Sequence, residues 1–409
     1  MAGELFTVLP EGTVTTPKGF ITGGLHCGLK KNGRHDLGAI VCEVPAAAAG
    51  VYTLNAFQAA PLKVTQESVA SSSGMLQALL VNSGNANACT GEQGEADARQ
   101  MRAGFAAALG VDATLVGVAS TGVIGELLPM DKVNAGVVDL PAKLTADGGE
   151  DFCQAILTTD LVQKMTCVRV SVGGNVVHIA GAAKGSGMIH PNMATMLGFM
   201  TTDAKIAPEH LQGLLGEMTD STFNMITVDG DTSTNDMVVV LASGLADHSE
   251  PLSPAHPDWD AFAAGFRYVS EYLAKAIARD GEGATKLIEV NVSGAVTMNA
   301  ARAIAKTVVG SSLVKSACFG ADANWGRIIA AIGRAGQPVD VNTVDINVGD
   351  YTVLTQSRPV SFDDAAATEY LKGDLVQIYV QLNNGEGNAT AWGCDLTYDY
   401  VRINAAYRT

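Results

Sequence analysis

The chain has 409 residues, with 42 acidic side chains against 26 Lys and Arg, for a formal charge of −16. That balance excludes partners such as a nucleic-acid backbone or an anionic membrane surface, which would be repelled. With 47% hydrophobic and 17% charged residues, the chain is neither disordered nor a coiled coil, and its length suits roughly two to three domains.

No run reaches the ~18 apolar residues of a membrane span. The opening MAGELFTVLPEGTVTTPKGF has neither a basic nor a long apolar region, so no secretory signal is read there. The seven Cys are scattered with no C-x-x-C pair, which argues against a disulfide framework or a thiolate zinc site and predicts a reducing cytoplasm.

In chain order, strands and helices mix throughout. Ala78–Val81 reads as an apolar strand ending in the turn residues Asn82–Asn85. Residues 95–109 read as a helix, with Gly110 as its C-terminal stop. Val116–Ala119 is a short strand, broken by Ser120-Thr121-Gly122. Val168–Ile179 reads as a hairpin around Gly173-Gly174-Asn175. Glu209–Met218 follows Pro208 as a short helix. Asp236–Ala242 is a strand, Asp247–Asp258 a loop, and Trp259–Ala278 a long helix that stops at Asp280–Gly283. Leu287–Val292 then reads as strand and Asn299–Val308 as helix. Leu375–Leu382 and Cys394–Ile403 read as a final hairpin. The mixture predicts an α/β protein, layered as an α+β sandwich, with a domain boundary near 280.

Most motifs that announce chemistry are absent: G-x-x-x-x-G-K-[ST], H-E-x-x-H and G-x-S-x-G do not occur. The seven His show no metal-ligand spacing, and His190 reads as structural. No metal or organic cofactor is implied. The run Gly181–Gly187 could cradle an anion with its amides, although a plain loop is the better reading. Within GAAKGSGMIHPNMATMLGFMTTDA, residues 181–204, Thr195 is a lone hydroxyl in a Met-rich stretch that reads as a buried strand.

The segment Lys184–Leu197 resembles the self-cleavage segment of the ornithine acetyltransferase family, whose members serve arginine biosynthesis. Asn82–Ala88, Ser120–Gly125, Leu157–Asp160, Asp280–Lys286, Gly320–Arg327 and Tyr400–Thr409 resemble further segments of that family, in order along the chain. Ala323 departs from the pattern, where Pro is expected.

The resemblance implies a self-processing acyltransferase of the N-terminal-nucleophile type. The Ala194–Thr195 bond would be cut by an N-to-O acyl shift, leaving fragments 1–194 and 195–409. Thr195 would then carry its own base, because an α-amine of pKa about 7.7–8.0 takes up protons near neutrality. By the same resemblance Thr121 and Gly122 form an oxyanion hole, and Thr158, Lys184, Thr195, Glu282, Asn404 and Thr409 bind substrate. The implied reaction is a ping-pong transfer of acetyl from N2-acetyl-L-ornithine to L-glutamate. Some members are bifunctional and also use acetyl-CoA. Residues 1–280 would carry the cleavage site and oxyanion hole, and residues 281–409 would form a smaller α/β domain completing the substrate site. A heterotetramer of two alpha and two beta chains is implied. The rival readings are a related self-processing aminopeptidase, which would pass its acyl group to water, and a non-catalytic binding protein.

Overall fold

The computed structural model describes residues 5–190 and 196–406. The expectations on Ala194, Thr195 and Thr409 therefore lie outside the described residues. The chain divides into two compact units. The first holds residues 1–185, 191–223 and 232–273; the second holds 186–190, 224–231 and 274–409.

Strands are numbered β1 (Thr7–Val8), β2 (Phe20–Leu25), β3 (Leu37–Tyr52), β4 (Met75–Asn85), β5 (Val116–Val123), β6 (Lys164–Val172), β7 (Asn175–Lys184), β8 (Leu197–Thr202), β9 (Ile226–Thr227), β10 (Met237–Ala242), β11 (Leu287–Ala295), β12 (Asp345–Val348), β13 (Tyr351–Thr355), β14 (Arg358–Pro359), β15 (Leu375–Gln381) and β16 (Gly387–Cys394). Helices are α1 (Ala60–Ser71), α2 (Gly91–Leu109), α3 (Met130–Asp139), α4 (Gly149–Ile156), α5 (Pro208–Ser221), α6 (Trp259–Arg279), α7 (Met298–Val309), α8 (Ser312–Phe319), α9 (Trp325–Gly333), α10 (Asp364–Leu371) and α11 (Tyr398–Ala405).

In the first unit, nine strands form one sheet in the order β1-β6-β7-β8-β10-β3-β4-β5, with β2 also paired to β3. Its central strands are buried on both faces, which is why they read as continuous apolar runs rather than alternating ones. Leu79 and Val81 of β4 join one core with Phe152 of α4 and Phe199 of β8. Ala78 and Leu80 join the other, with Met101 and Phe105 of α2 and Val133 and Val137 of α3. Phe152 and Phe199 meet edge-on with ring centroids 5.5 Å apart, a preferred aromatic geometry.

Local chemistry sets the boundaries. Gly110 ends α2 at φ 72°, a left-handed cap open to glycine without a Cβ clash. Gly173 and Gly174 turn the β6–β7 hairpin with φ 57° and 77°, the paired positive φ of a type I′ turn.

The strand order bears on the fragments that cleavage at Ala194–Thr195 would leave. β8 and β10 follow the Ala194–Thr195 bond in sequence, yet they lie between β7 and β3, which precede it. Lys184 of β7 opposes Leu197 of β8, and Gly50 of β3 opposes Val239 of β10.

In the second unit, seven strands run β14-β13-β12-β15-β11-β16-β9, and α7 lays Ala301, Ile304, Ala305 and Val308 into the interior. The expected final hairpin is corrected here. β15 and β16 do not pair with each other: β11 lies between them, parallel to β15 and antiparallel to β16. The last predicted strand is instead α11, whose start is capped by the Thr397 hydroxyl accepting from the Asp399 amide. None of its described residues is buried, so its Tyr398 and Val401 gave an apolar strand pattern without belonging to a core.

Candidate active site

The predicted break at Ser120-Thr121-Gly122 is also corrected, because β5 continues through it to Val123. An irregularity in β4 at Gly84/Asn85 shifts the pairing there, and such bulges re-aim side chains at a strand end. Gly122 has φ 137°. A Cβ on it would sit 2.3 Å from the Gly84 carbonyl carbon and 2.5 Å from the Asn85 nitrogen, so no other residue fits. The motif Asn82–Ala88 builds the frame around this turn. Ser120 Oγ donates to Asn82 Oδ1, and the Asn82 amide group donates to the Asn85 carbonyl. Asn235 closes the frame, donating to the carbonyls of Ala86 and Ser120.

Lys184 ends β7 and is buried. Its Nζ reaches the Thr121 hydroxyl at 3.5 Å. Thr158 stands at the end of α4, where its amide donates to Asp160 Oδ2 at 2.9 Å. Asp160, which sequence reasoning had quoted only as part of a motif, proves to be the hub. Its Oδ1 accepts from Lys164 Nζ at 2.7 Å and from the Gly185 amide at 2.7 Å. Burial opposes its charge, but the Lys184 and Lys164 ammonium groups and the hydrogen bonds from Lys164 and Thr158 more than offset that, holding the carboxyl well below the usual carboxylate range. The plain loop preferred for Gly181–Gly187 is thereby corrected. Residues 181–184 are strand, and the Gly185 amide is already directed at Asp160.

Lys30 and Asp36 escaped the sequence reading altogether, since neither sits in a recognisable motif. The buried Asp36 carboxylate gathers the amides of Cys27 at 2.6 Å, Leu29 at 2.7 Å and Lys30 at 2.9 Å, an anion held in a backbone nest. Burial pulls the Lys30 ammonium down to about 8, against the pull of the Asp36 and Asp160 charges, and the Lys184 charge lowers it further.

In the second unit the Asn404 amide donates to Glu282 Oε2 at 2.8 Å. The Glu282 amide donates to the Ser186 carbonyl at 3.0 Å, and Ser186 Oγ donates to the Asp280 carbonyl at 2.7 Å. Gly187 packs so tightly here that a Cβ would lie 2.4 Å from Glu282 Cδ. The amides of Met188 and Ile189 donate to Asp229 at 2.7 and 2.9 Å. His190, read as a structural or surface residue, has its Nδ1 2.9 Å from Thr227 Oγ1. Burial, with the Lys306 charge, lowers its pKa to about 4 despite Asp229, so it is neutral at pH 7.

Among the described residues no group of three or more His, Cys, Asp or Glu could hold a metal ion, and no helix is long and apolar enough to cross a membrane. The Cys153, Cys167 and Cys318 thiols are pushed up to about 12 by burial, which makes them poor nucleophiles.

Comparisons with known proteins identify the family. The "Arginine biosynthesis bifunctional protein ArgJ" of Shouchella clausii is 59% identical over 399 residues, covering 98% of this chain and 97% of that protein. The protein of the same name from Bacillus subtilis is 55% identical and covers 97% of each. A crystal structure of arginine biosynthesis bifunctional protein ArgJ from Bacillus halodurans matches with 60% identity and a TM-score of 0.51, spanning 52% of this chain and all of that one. The ArgJ family model matches residues 21–409. With that match, and with relatives above half identity along nearly its whole length, the chain belongs to the ArgJ family.

Proposed function

We propose that the chain cuts its own Ala194–Thr195 bond and then moves an acetyl group from N2-acetyl-L-ornithine to L-glutamate through an acetyl-Thr195 intermediate. As a member of the ArgJ family it is an acyltransferase of arginine biosynthesis. The observation that carries the finer reading is the grouping of Lys184, Thr121 and Gly122 beside the ionised Asp160. Lys184 suits an α-carboxylate. The Thr121 hydroxyl and the Gly122 amide suit the oxyanion of a tetrahedral intermediate. Glu282 supplies an anion for the ornithine ammonium, steadied by Asn404, with Thr158 as a neutral partner and the Thr409 carboxylate as a second anion. Because the two amino acids bind in turn, one site serves both. Acetyl-CoA is a second donor in this reading, the reaction runs in the cytoplasm, and two copies each of fragments 1–194 and 195–409 form a heterotetramer. The solved Bacillus halodurans chain spans 52% of this one, a share similar to that of residues 195–409.

Denaturing intact-mass spectrometry before and after N-acetylornithine tests the proposal. The expected result is two chains meeting at Ala194–Thr195, with one acetyl on the Thr195 fragment that glutamate removes. A single chain that never takes up acetyl would sink it. Cleavage with turnover indifferent to glutamate would make the protein a hydrolase instead. On native chromatography the cleaved fragments should co-elute and part only in denaturant, because β8 and β10 sit inside the other fragment's sheet. Fragments that separate without denaturant would contradict the sheet order.

Gly187 gives a second test. In Gly187→Ala the new methyl displaces the Glu282 carboxylate from Asn404. The lost charge-assisted contact, about 1.5–3 kcal/mol, should raise KM for N-acetylornithine roughly 10- to 100-fold. An unchanged KM would remove Glu282 from substrate binding.

A further inference from the structure

One cation beside the Thr121–Gly122 turn has no part in the reaction described so far. A Cβ placed on Gly84 would lie 3.4 Å from Lys30 Cγ, so the Lys30 stem runs over Gly84. Gly84 of β4 stands opposite Gly122 of β5 in the sheet. Among the described residues Lys30 Nζ has one acceptor, the His35 carbonyl at 2.6 Å, and forms no ion pair. An ammonium carries three N–H donors, so donors remain for a ligand. Lys30, Thr121, Gly122 and Thr158 are all half-buried, which leaves them open to a small molecule.

The surrounding backbone holds this cation in place. The Asp36 carboxylate gathers the Lys30 amide with those of Cys27 and Leu29. The Asp36 carbonyl accepts the Ser83 amide at 2.9 Å, which ties the loop to β4. Lys132 Nζ donates to the Gly28 carbonyl at 3.1 Å. A charge fixed in this way loses little freedom when a ligand arrives. The neighbouring cations are engaged already, Lys164 with Asp160 and Lys184 at the Thr121 hydroxyl.

The two amino acids of the transfer proposed above differ in one charge. Ornithine ends in an ammonium and glutamate in a carboxylate. The α-carboxylate, common to both, suits Lys184. The second carboxylate belongs to the acceptor alone and needs a cation of its own. Resting on that reading, we propose that Lys30 binds the side-chain carboxylate of the acceptor and so selects glutamate for the second half of the reaction.

The electrostatics agree with this role. Burial lowers the Lys30 ammonium to about 8, which still leaves it charged at pH 7. The Asp36 and Asp160 charges favour the ammonium, and those of Lys184 and Arg34 oppose it. A carboxylate from the ligand adds to the favourable side. The same charge repels the ammonium of ornithine, which favours departure of the first product before glutamate enters.

The test measures both halves of the reaction in wild type, Lys30→Met, Lys30→Gln and Lys30→Arg, with L-glutamate and its neutral isostere L-glutamine as acceptors. Lys30→Met should raise KM for glutamate roughly 10- to 100-fold, the weight of one charge-assisted hydrogen bond, while KM for N-acetylornithine does not rise. The preference for glutamate over glutamine, taken as a ratio of kcat/KM values, should fall by the same factor. That ratio does not depend on how much of the enzyme is folded. Lys30→Gln keeps a polar tip for the His35 carbonyl and should behave like Lys30→Met. Lys30→Arg keeps the charge and should retain the preference. An unchanged preference in both Lys30→Met and Lys30→Gln would overturn the inference while leaving the transfer reading intact. A KM for N-acetylornithine raised as far as that for glutamate would overturn it too, as a merely structural effect. A wild-type enzyme that takes up acetyl but passes none to glutamate would overturn both the inference and the reading beneath it.

Discussion

Asp160→Asn is expected to lower the unfolding free energy by about 3–5 kcal/mol, the cost of breaking a buried ion pair from one side. Asp160 and Lys164 are both fully buried at the side chain and 2.7 Å apart. The substitution leaves the Lys164 and Lys184 charges without the carboxylate that offsets them, and the Gly185 amide without its charged acceptor. A double variant, Asp160→Asn with Lys164→Met, should recover much of the loss, because the uncompensated charge goes with it. Denaturant unfolding reads both, and a loss under ~1 kcal/mol for the single variant would show that the pair is not the hub described. The pH dependence follows from the sign of the shift. A carboxyl lowered on folding stabilises the native state above its unfolded value, about 3.9, and this contribution is lost as pH falls through that value toward the lower native one. The Asn variant should therefore lose the part of the acid sensitivity that Asp160 supplies.

If Gly122 lies in the proposed oxyanion hole, Gly122→Ala should lower acetyl turnover by about 10²–10³-fold, the effect of losing one such donor. The methyl would lie 2.3 Å from the Gly84 carbonyl carbon. That neighbour is backbone, fixed by the β4–β5 pairing, so the turn itself must shift. The φ of 137° adds strain even where space could be made. Pre-steady-state acetylation of the Thr195 fragment separates this effect from binding: its rate should fall while KM changes little. Wild-type acetylation by Gly122→Ala would remove the Thr121–Gly122 turn from the chemistry. Thr121→Ala should be milder than Gly122→Ala, because it removes one hydroxyl and leaves the backbone turn in place.

Local features were legible in the sequence. Gly110, Gly173-Gly174 and Pro208 mark element ends because each fixes a backbone torsion or removes a donor whatever the chain does elsewhere. The ordered motifs from Asn82 to Tyr400 marked the family for the same reason: each is a short run whose residue types can be read side by side. The misreadings share the opposite cause. β5 runs on through Ser120-Thr121-Gly122 because β4 offers a pairing edge there, a long-range fact that overrides the local turn signal. Tyr398–Ala405 is a helix although its apolar spacing resembled a strand, because it has no buried face to impose that period. Which charges meet is legible only in the folded chain. Asp160 and Lys184 stand 24 positions apart. Electrostatic interaction depends on distance and burial, and no spacing along the chain encodes either. The role of Asp160, and the threading of β8 and β10 between β7 and β3, became visible only once the sheet had brought those strands together.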